Sequence, residues 1–143
     1  MKNLIFTFII LLPLFSKAQA HLGSTAGQIK TMHSDNVFYT SYTKEGAKYI
    51  YTSMPLGTFF YYLSTETGLS NVCVQIPENM VALNAQVEIY NKKYVILSDT
   101  SWKAYLEDGG VMKINLNYNE KLELYIFYYT NSSSNFNSKT LGY

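Results

Sequence analysis

Residues 47–76 read AKYIYTSMPLGTFFYYLSTETGLSNVCVQI, and this stretch decides the fold class. It holds three runs rich in aromatic and β-branched side chains, Ala47–Ser53, Thr58–Ser64 and Leu69–Ile76. Such side chains fit the pleated surface of a sheet, so each run reads as a strand. The breaks between them, Met54-Pro55-Leu56-Gly57 and Thr65-Glu66-Thr67-Gly68, each contain a glycine, the residue that supplies the positive φ of tight turns. Short breaks between strands mean hairpins, hence an antiparallel sheet. Phe59-Phe60-Tyr61-Tyr62 is apolar on both faces and belongs inside that sheet rather than at its edge. Cys73 is the only cysteine, so no intramolecular disulfide forms, and within Val72-Cys73-Val74 it reads as a small buried hydrophobe with an unreactive thiol.

Working outward, Val37–Thr43 adds a strand before the break Lys44-Glu45-Gly46. Ahead of it, Thr25-Ala26-Gly27-Gln28 has the spacing of a capping box, with Ile29 and Met32 behind it, which predicts a short helix over 25–33. On the other side, Pro77 opens a second helix over 79–91, in which Met80, Leu83, Val87 and Tyr90 form the stripe expected to dock on the sheet. Tyr94–Ser98, Trp102–Glu107, Val111–Tyr118 and Leu122–Thr130 then resume strand. The expected fold is α+β: one two-layer domain over 19–130, a largely antiparallel meander sheet of about seven to eight strands with two helices on one face. The order helix, four strands, helix, four strands suggests an internal duplication, although the halves share no residue-level repeat.

The last three strands carry the expected binding face. Strict alternation places Trp102, Ala104 and Leu106, then Met112, Ile114, Leu116 and Tyr118, then Leu122, Leu124, Ile126 and Tyr128 inward. For these sets to share a face, Glu107 must oppose Val111 and Tyr118 must oppose Leu122, with loops Asp108-Gly109-Gly110 and Asn119-Glu120-Lys121 and Leu116 beside Leu124. The outward face then holds Lys103, Tyr105, Lys113, Asn115, Asn117, Tyr125, Phe127 and Tyr129. Of these, Tyr105, Lys113, Asn115, Tyr125, Phe127 and Tyr129 are the candidate ligand or partner residues, a surface of rings and hydrogen-bonding groups suited to a carbohydrate or a protein. The spacing of aromatics at 125, 127 and 129 also predicts that something covers Phe127.

The chain ends and composition set the compartment. Lys2, the apolar run Leu4–Phe15 and the small residues of Ser16–Ala20 read as an export signal, with cleavage after Ala18 or, alternatively, after Ala20. The apolar run is too short for a transmembrane helix, which needs about 20 residues. Export implies a secreted or periplasmic protein, and Asn131–Tyr143, rich in Ser and Asn, reads as a flexible tail. All eleven basic side chains are Lys. Without Arg there is no planar fork for phosphate or guanine, and with Lys2 and Lys17 in the signal nine lysines face ten acids, so a nucleic-acid partner is not expected. All fourteen tyrosines follow the signal.

The element order is similar to that of the TATA-binding-protein-like and beta-lactamase-inhibitor-like small α+β domains, and Gly23-Ser24-Thr25-Ala26-Gly27-Gln28-Ile29 is similar to the capped first helix of the latter. Ser16-Lys17-Ala18-Gln19, the Lys-only basic set and the richness in Asn and Tyr resemble short exported proteins of unknown function from Bacteroidota. The second likeness implies no site residue; the first implies, as one option, an inhibitor that blocks a partner enzyme in the periplasm. Catalytic motifs are missing: there is no phosphate loop, no His-Glu-x-x-His, no Gly-x-Ser-x-Gly and no cysteine pair for zinc. The reading is therefore a binding or structural module with no catalytic residues and no cofactor, an inhibitor as the alternative, and a small secreted enzyme or copper-binding protein third. His21 and His33, the only histidines, are the candidate copper ligands, with the amine of His21 joining them if cleavage follows Ala20. Exposed sheet edges, or the aromatic face, also allow a homodimer.

Overall fold

The computed structural model describes residues 20–132. The signal segment 1–18 and residues 133–143 of the expected tail lie outside the described residues. The elements are α1 (Ala26–Met32), β1 (Tyr39–Tyr42), β2 (Lys48–Met54), β3 (Gly57–Leu63), β4 (Ser70–Ile76), α2 (Met80–Lys93), β5 (Val95–Ser98), β6 (Ser101–Tyr105), β7 (Val111–Asn119) and β8 (Leu124–Asn131). All eight strands form one antiparallel sheet in the order β1-β2-β3-β4-β8-β7-β6-β5. It consists of two four-strand meanders joined where β4 pairs with β8. The α+β class and the repeated order of one helix and four strands are both present. Among the described residues no helix is long and apolar enough to cross a membrane.

Local chemistry explains the element boundaries. Thr25 caps α1 in a complete capping box: its hydroxyl accepts the Gln28 N–H while the Gln28 side chain accepts the Thr25 N–H. Asn79, two residues after Pro77, caps α2 by accepting the Ala82 N–H at 2.9 Å. Gly57 closes the β2–β3 turn at φ 133°, where a Cβ would stand 2.1 Å from the Ile76 carbonyl oxygen, so only glycine lets β3 start this close beside the end of β4.

Both helices pack on one face of the sheet. Their core joins Ile29 of α1 and Leu83 and Tyr90 of α2 to Ile50, Phe59, Tyr61, Cys73, Trp102, Ala104, Met112, Ile114, Phe127 and Tyr129. Cys73 is fully buried, as expected, and burial pushes its thiol pKa well up. The docking stripe of α2 departs from the expected one: Met80 is 55% exposed, while Gln86 is buried with Leu83 and Tyr90. The polar Gln86 is kept there by a chain of buried hydrogen bonds. Its Nε2 donates to the Tyr90 hydroxyl, that hydroxyl lies 2.7 Å from the Tyr129 hydroxyl, Tyr129 donates to Gln75 Oε1, and Gln75 Nε2 donates to the Leu56 carbonyl.

The terminal meander corrects the expected register. In the first hairpin Tyr105, not Glu107, opposes Val111, and the loop runs over 106–110. The shift is by two residues, so Trp102, Ala104, Met112, Ile114 and Leu116 keep their inward placement. In the second hairpin Tyr118 opposes Tyr125, not Leu122, and Leu116 opposes Phe127, not Leu124. That shift is odd, so it exchanges the faces of β8: Phe127 and Tyr129 lie under the helices, and Ile126 and Tyr128 lie on the other side. The cause is a four-residue loop over 120–123, in which the Asn119 side chain accepts the Leu122 N–H and Glu123 takes a positive φ of 53°. Leu122, expected inward, is exposed in that loop.

Candidate functional site

Strand pairing defines the residues of the helix-free face. One row across it runs Tyr39, Tyr51, Phe60, Val74, Tyr128, Asn115 and Ser101, and the next runs Tyr49, Tyr62, Val72, Thr130, Lys113 and Lys103. The centre of the face is closed: Tyr62, Val72, Val74, Ile126 and Tyr128 form a second buried cluster. Its two flanks differ in chemistry.

On the β1–β3 flank the rings pack against one another in a file. Tyr39 and Tyr51 stack with centroids 5.3 Å apart and planes at 26°, and Tyr51 and Phe60 at 5.5 Å and 20°. Tyr49 leans against Tyr51, Phe60 and Tyr62. Tyr39, on the edge strand, is 55% exposed. Because the faces of Tyr51 are turned toward neighbouring rings, the inner part of this flank presents ring edges, and the outer face of Tyr39 at the end of the file has no ring stacked on it.

On the β6–β7 flank Lys103 and Lys113 stand directly opposite each other, with Asn115 and Asn117 beyond Lys113 on the same side of β7. Tyr105, 68% exposed, carries the Lys103 ammonium 6.0 Å from its ring centroid. None of the eight strands contains an Asp or Glu, so no strand carboxylate neutralises these lysines. Like charges placed directly across a strand pair are unfavourable by roughly 0.2–1 kcal/mol.

The six expected face residues therefore divide. Tyr105, Lys113 and Asn115 share the helix-free face, as expected. Tyr125, Phe127 and Tyr129 are on the opposite side. Phe127 is fully buried and Tyr129 nearly so, both packed on the Tyr90 ring of α2, and Tyr125 pairs with the Tyr118 ring at the hairpin end. The residues missed were Tyr39, Tyr49, Tyr51 and Phe60. Their signal was the alternation of tyrosines at 49 and 51 across a short turn from 60 and 62.

The two histidines do meet. His21 Nε2 lies 2.7 Å from His33 Nε2, with ring planes at 72°. His21 has φ 42° and lies in a segment pinned to the sheet, since Gly23 donates to the Ser70 carbonyl and Ser70 to the Ser24 carbonyl. His33 ends α1, its N–H bonded to the Ile29 carbonyl. Burial, and secondarily the charge of His33, lowers the His21 pKa to about 4; burial also lowers that of His33, so both rings are neutral at pH 7. Among the described residues no group of three or more His, Cys, Asp or Glu gathers around them or elsewhere.

Comparison with protein-family profiles, with curated proteins and with solved structures finds no match to this chain, so the functional reading rests on the site itself.

Proposed function

We propose that this chain is an exported binding module whose partner is a protein, engaged through the two flanks of the helix-free face. The observation that carries the reading is the opposed pair Lys103 and Lys113 beside exposed Tyr105, on a sheet whose strands bear no carboxylate. A fold that keeps two like charges opposed loses some stability, and an acidic surface on a partner would offset that cost. The β1–β3 flank favours a protein over a carbohydrate. A sugar stacks on an open ring face, whereas Tyr51 has a ring stacked on each face and Phe60 has one face against Tyr51, which leaves the outer face of Tyr39 at the sheet edge as the ring surface without a stacked neighbour.

The test is site-specific photo-crosslinking in the exporting cell, with the reactive group placed at Tyr39, at Tyr105 and, as a control on the exposed side of α2, at Glu88. Adducts of one common mass at Tyr39 and Tyr105, absent at Glu88 and weakened by salt, are expected. Lys103→Glu separates function from folding. It should raise stability by about 0.2–1 kcal/mol through a new pair with Lys113 while abolishing the adduct at Tyr105. Equal adduct yields at all three positions would sink the reading.

A further inference from the structure

The chain has two histidines, twelve positions apart in sequence, and the fold brings their Nε2 atoms to 2.7 Å. The ring centroids are 4.8 Å apart, so the centroid gap exceeds the nitrogen gap by about the two ring radii. The two nitrogens therefore face each other, with the rings tilted off the common line. A neutral pair satisfies this with a single N–H between two nitrogens, one ring donating and one accepting. The same alignment is what a two-coordinate ion needs. We propose that His21 and His33 form a binding site for one cuprous ion, held linearly between the two Nε2 atoms.

Three observations select this ion over a divalent one. First, the two nitrogens already face each other across one gap, so a two-coordinate ion asks for less ring movement than a square-planar or tetrahedral one, which needs further donors around it. Second, tetrahedral zinc asks for three or four donors, and no third His, Cys, Asp or Glu joins the pair among the described residues. Third, the rings beside the pair are aromatic: Tyr61 lies 6.1 Å from His21 and Phe38 lies 6.5 Å from His33. Such surroundings suit a singly charged ion better than a doubly charged one. With metal–nitrogen bonds of about 2 Å the nitrogens must open to about 4 Å, a spread of about 1.3 Å shared between two half-buried rings.

The proton balance closes without net release. The ring that donates its Nε2 hydrogen regains it at Nδ1 through water, the accepting ring already carries its hydrogen at Nδ1, and both Nε2 lone pairs are then free for the ion. No electron is transferred, because copper enters in its cuprous state. Cleavage after Ala18 and cleavage after Ala20 both leave His21 and His33 in the mature chain, so the site does not depend on the amine of His21.

The test is anaerobic titration of the processed chain with cuprous ion against a cuprous chelator, with silver(I) as a redox-inert probe of the same geometry and zinc as the comparison. One equivalent of copper(I) and of silver(I) should bind with sub-micromolar dissociation constants, and zinc at least a hundredfold more weakly. His21→Ala and His33→Ala should each weaken silver binding at least tenfold; circular dichroism melts confirm that each variant is folded. If a variant does not fold, nitrogen-15 spectra of the wild-type chain serve instead, and silver(I) should shift both Nε2 resonances and, of the two Nδ1 resonances, only that of the ring that takes up the hydrogen. Zinc binding as tight as silver, silver affinity unchanged in both folded variants, or Nε2 resonances that do not move would each overturn the proposal.

Discussion

The half of the molecule built from α1 and β1–β4 and the half built from α2 and β5–β8 repeat one element order and close their cores differently. α1 has seven residues and buries one of them, Ile29, and the segment around Ala20 and Leu22 packs into the same core beside it. α2 has fourteen residues and supplies Leu83, Gln86 and Tyr90, with Asn91 accepting the Trp102 indole N–H at 2.8 Å. The helix-free flanks differ as well, stacked rings on the first half and lysines with asparagines on the second. A repeated order thus fixes the sheet and leaves each half free to acquire its own cover and its own surface.

If the halves share one core, damage at the centre of the second must unfold the first. Phe127→Ala should cost about 3–5 kcal/mol, and the fluorescence of Trp102, the sole tryptophan, should fall in the same transition as far-ultraviolet circular dichroism. Two separate transitions would show that the halves are independent. Tyr129→Phe removes one hydroxyl from the chain linking Gln86, Tyr90 and Gln75 and leaves buried polar atoms without partners. Denaturant titration should show a loss of about 1–3 kcal/mol. Cys73, at the seam where β4 meets β8, sharpens the comparison from the other side. Cys73→Ala should cost about 1–2 kcal/mol, and the native thiol should react with a labelling reagent only after global unfolding. Fast labelling of the folded protein would mean that the seam opens on its own. The smallest effect belongs to Met80, exposed at the start of α2, where Met80→Lys should change stability by less than about 0.5 kcal/mol.

Strand and helix positions were legible because glycine-containing breaks, a capping box and period-two runs act locally. The register of β8 was not. Leu124-Tyr125-Ile126-Phe127-Tyr128-Tyr129 is apolar at every position, so alternation cannot say which face is which; the strand lies at the centre of the sheet with Ile126–Thr130 buried on both sides. Assigning it one wet face produced the wrong loop length and moved Phe127 and Tyr129 to the wrong side. Gln86 was missed for the opposite reason: hydropathy ranks it with the surface, and only its bond to Tyr90 accounts for its place. The histidines were legible as residue types, but their meeting depends on the Gly23–Ser70 and Ser24–Ser70 bonds that no local pattern encodes.

The central position of β8 also governs the order of assembly. The two neighbours that flank it, β4 and β7, are both made earlier, so each presents an open hydrogen-bonding edge until residues 124–131 are available. A chain emerging from its amino terminus therefore holds two incomplete meanders and can link them only once residues 124–131 have been made, through pairs such as Val74 with Tyr128 and Ile114 with Tyr129.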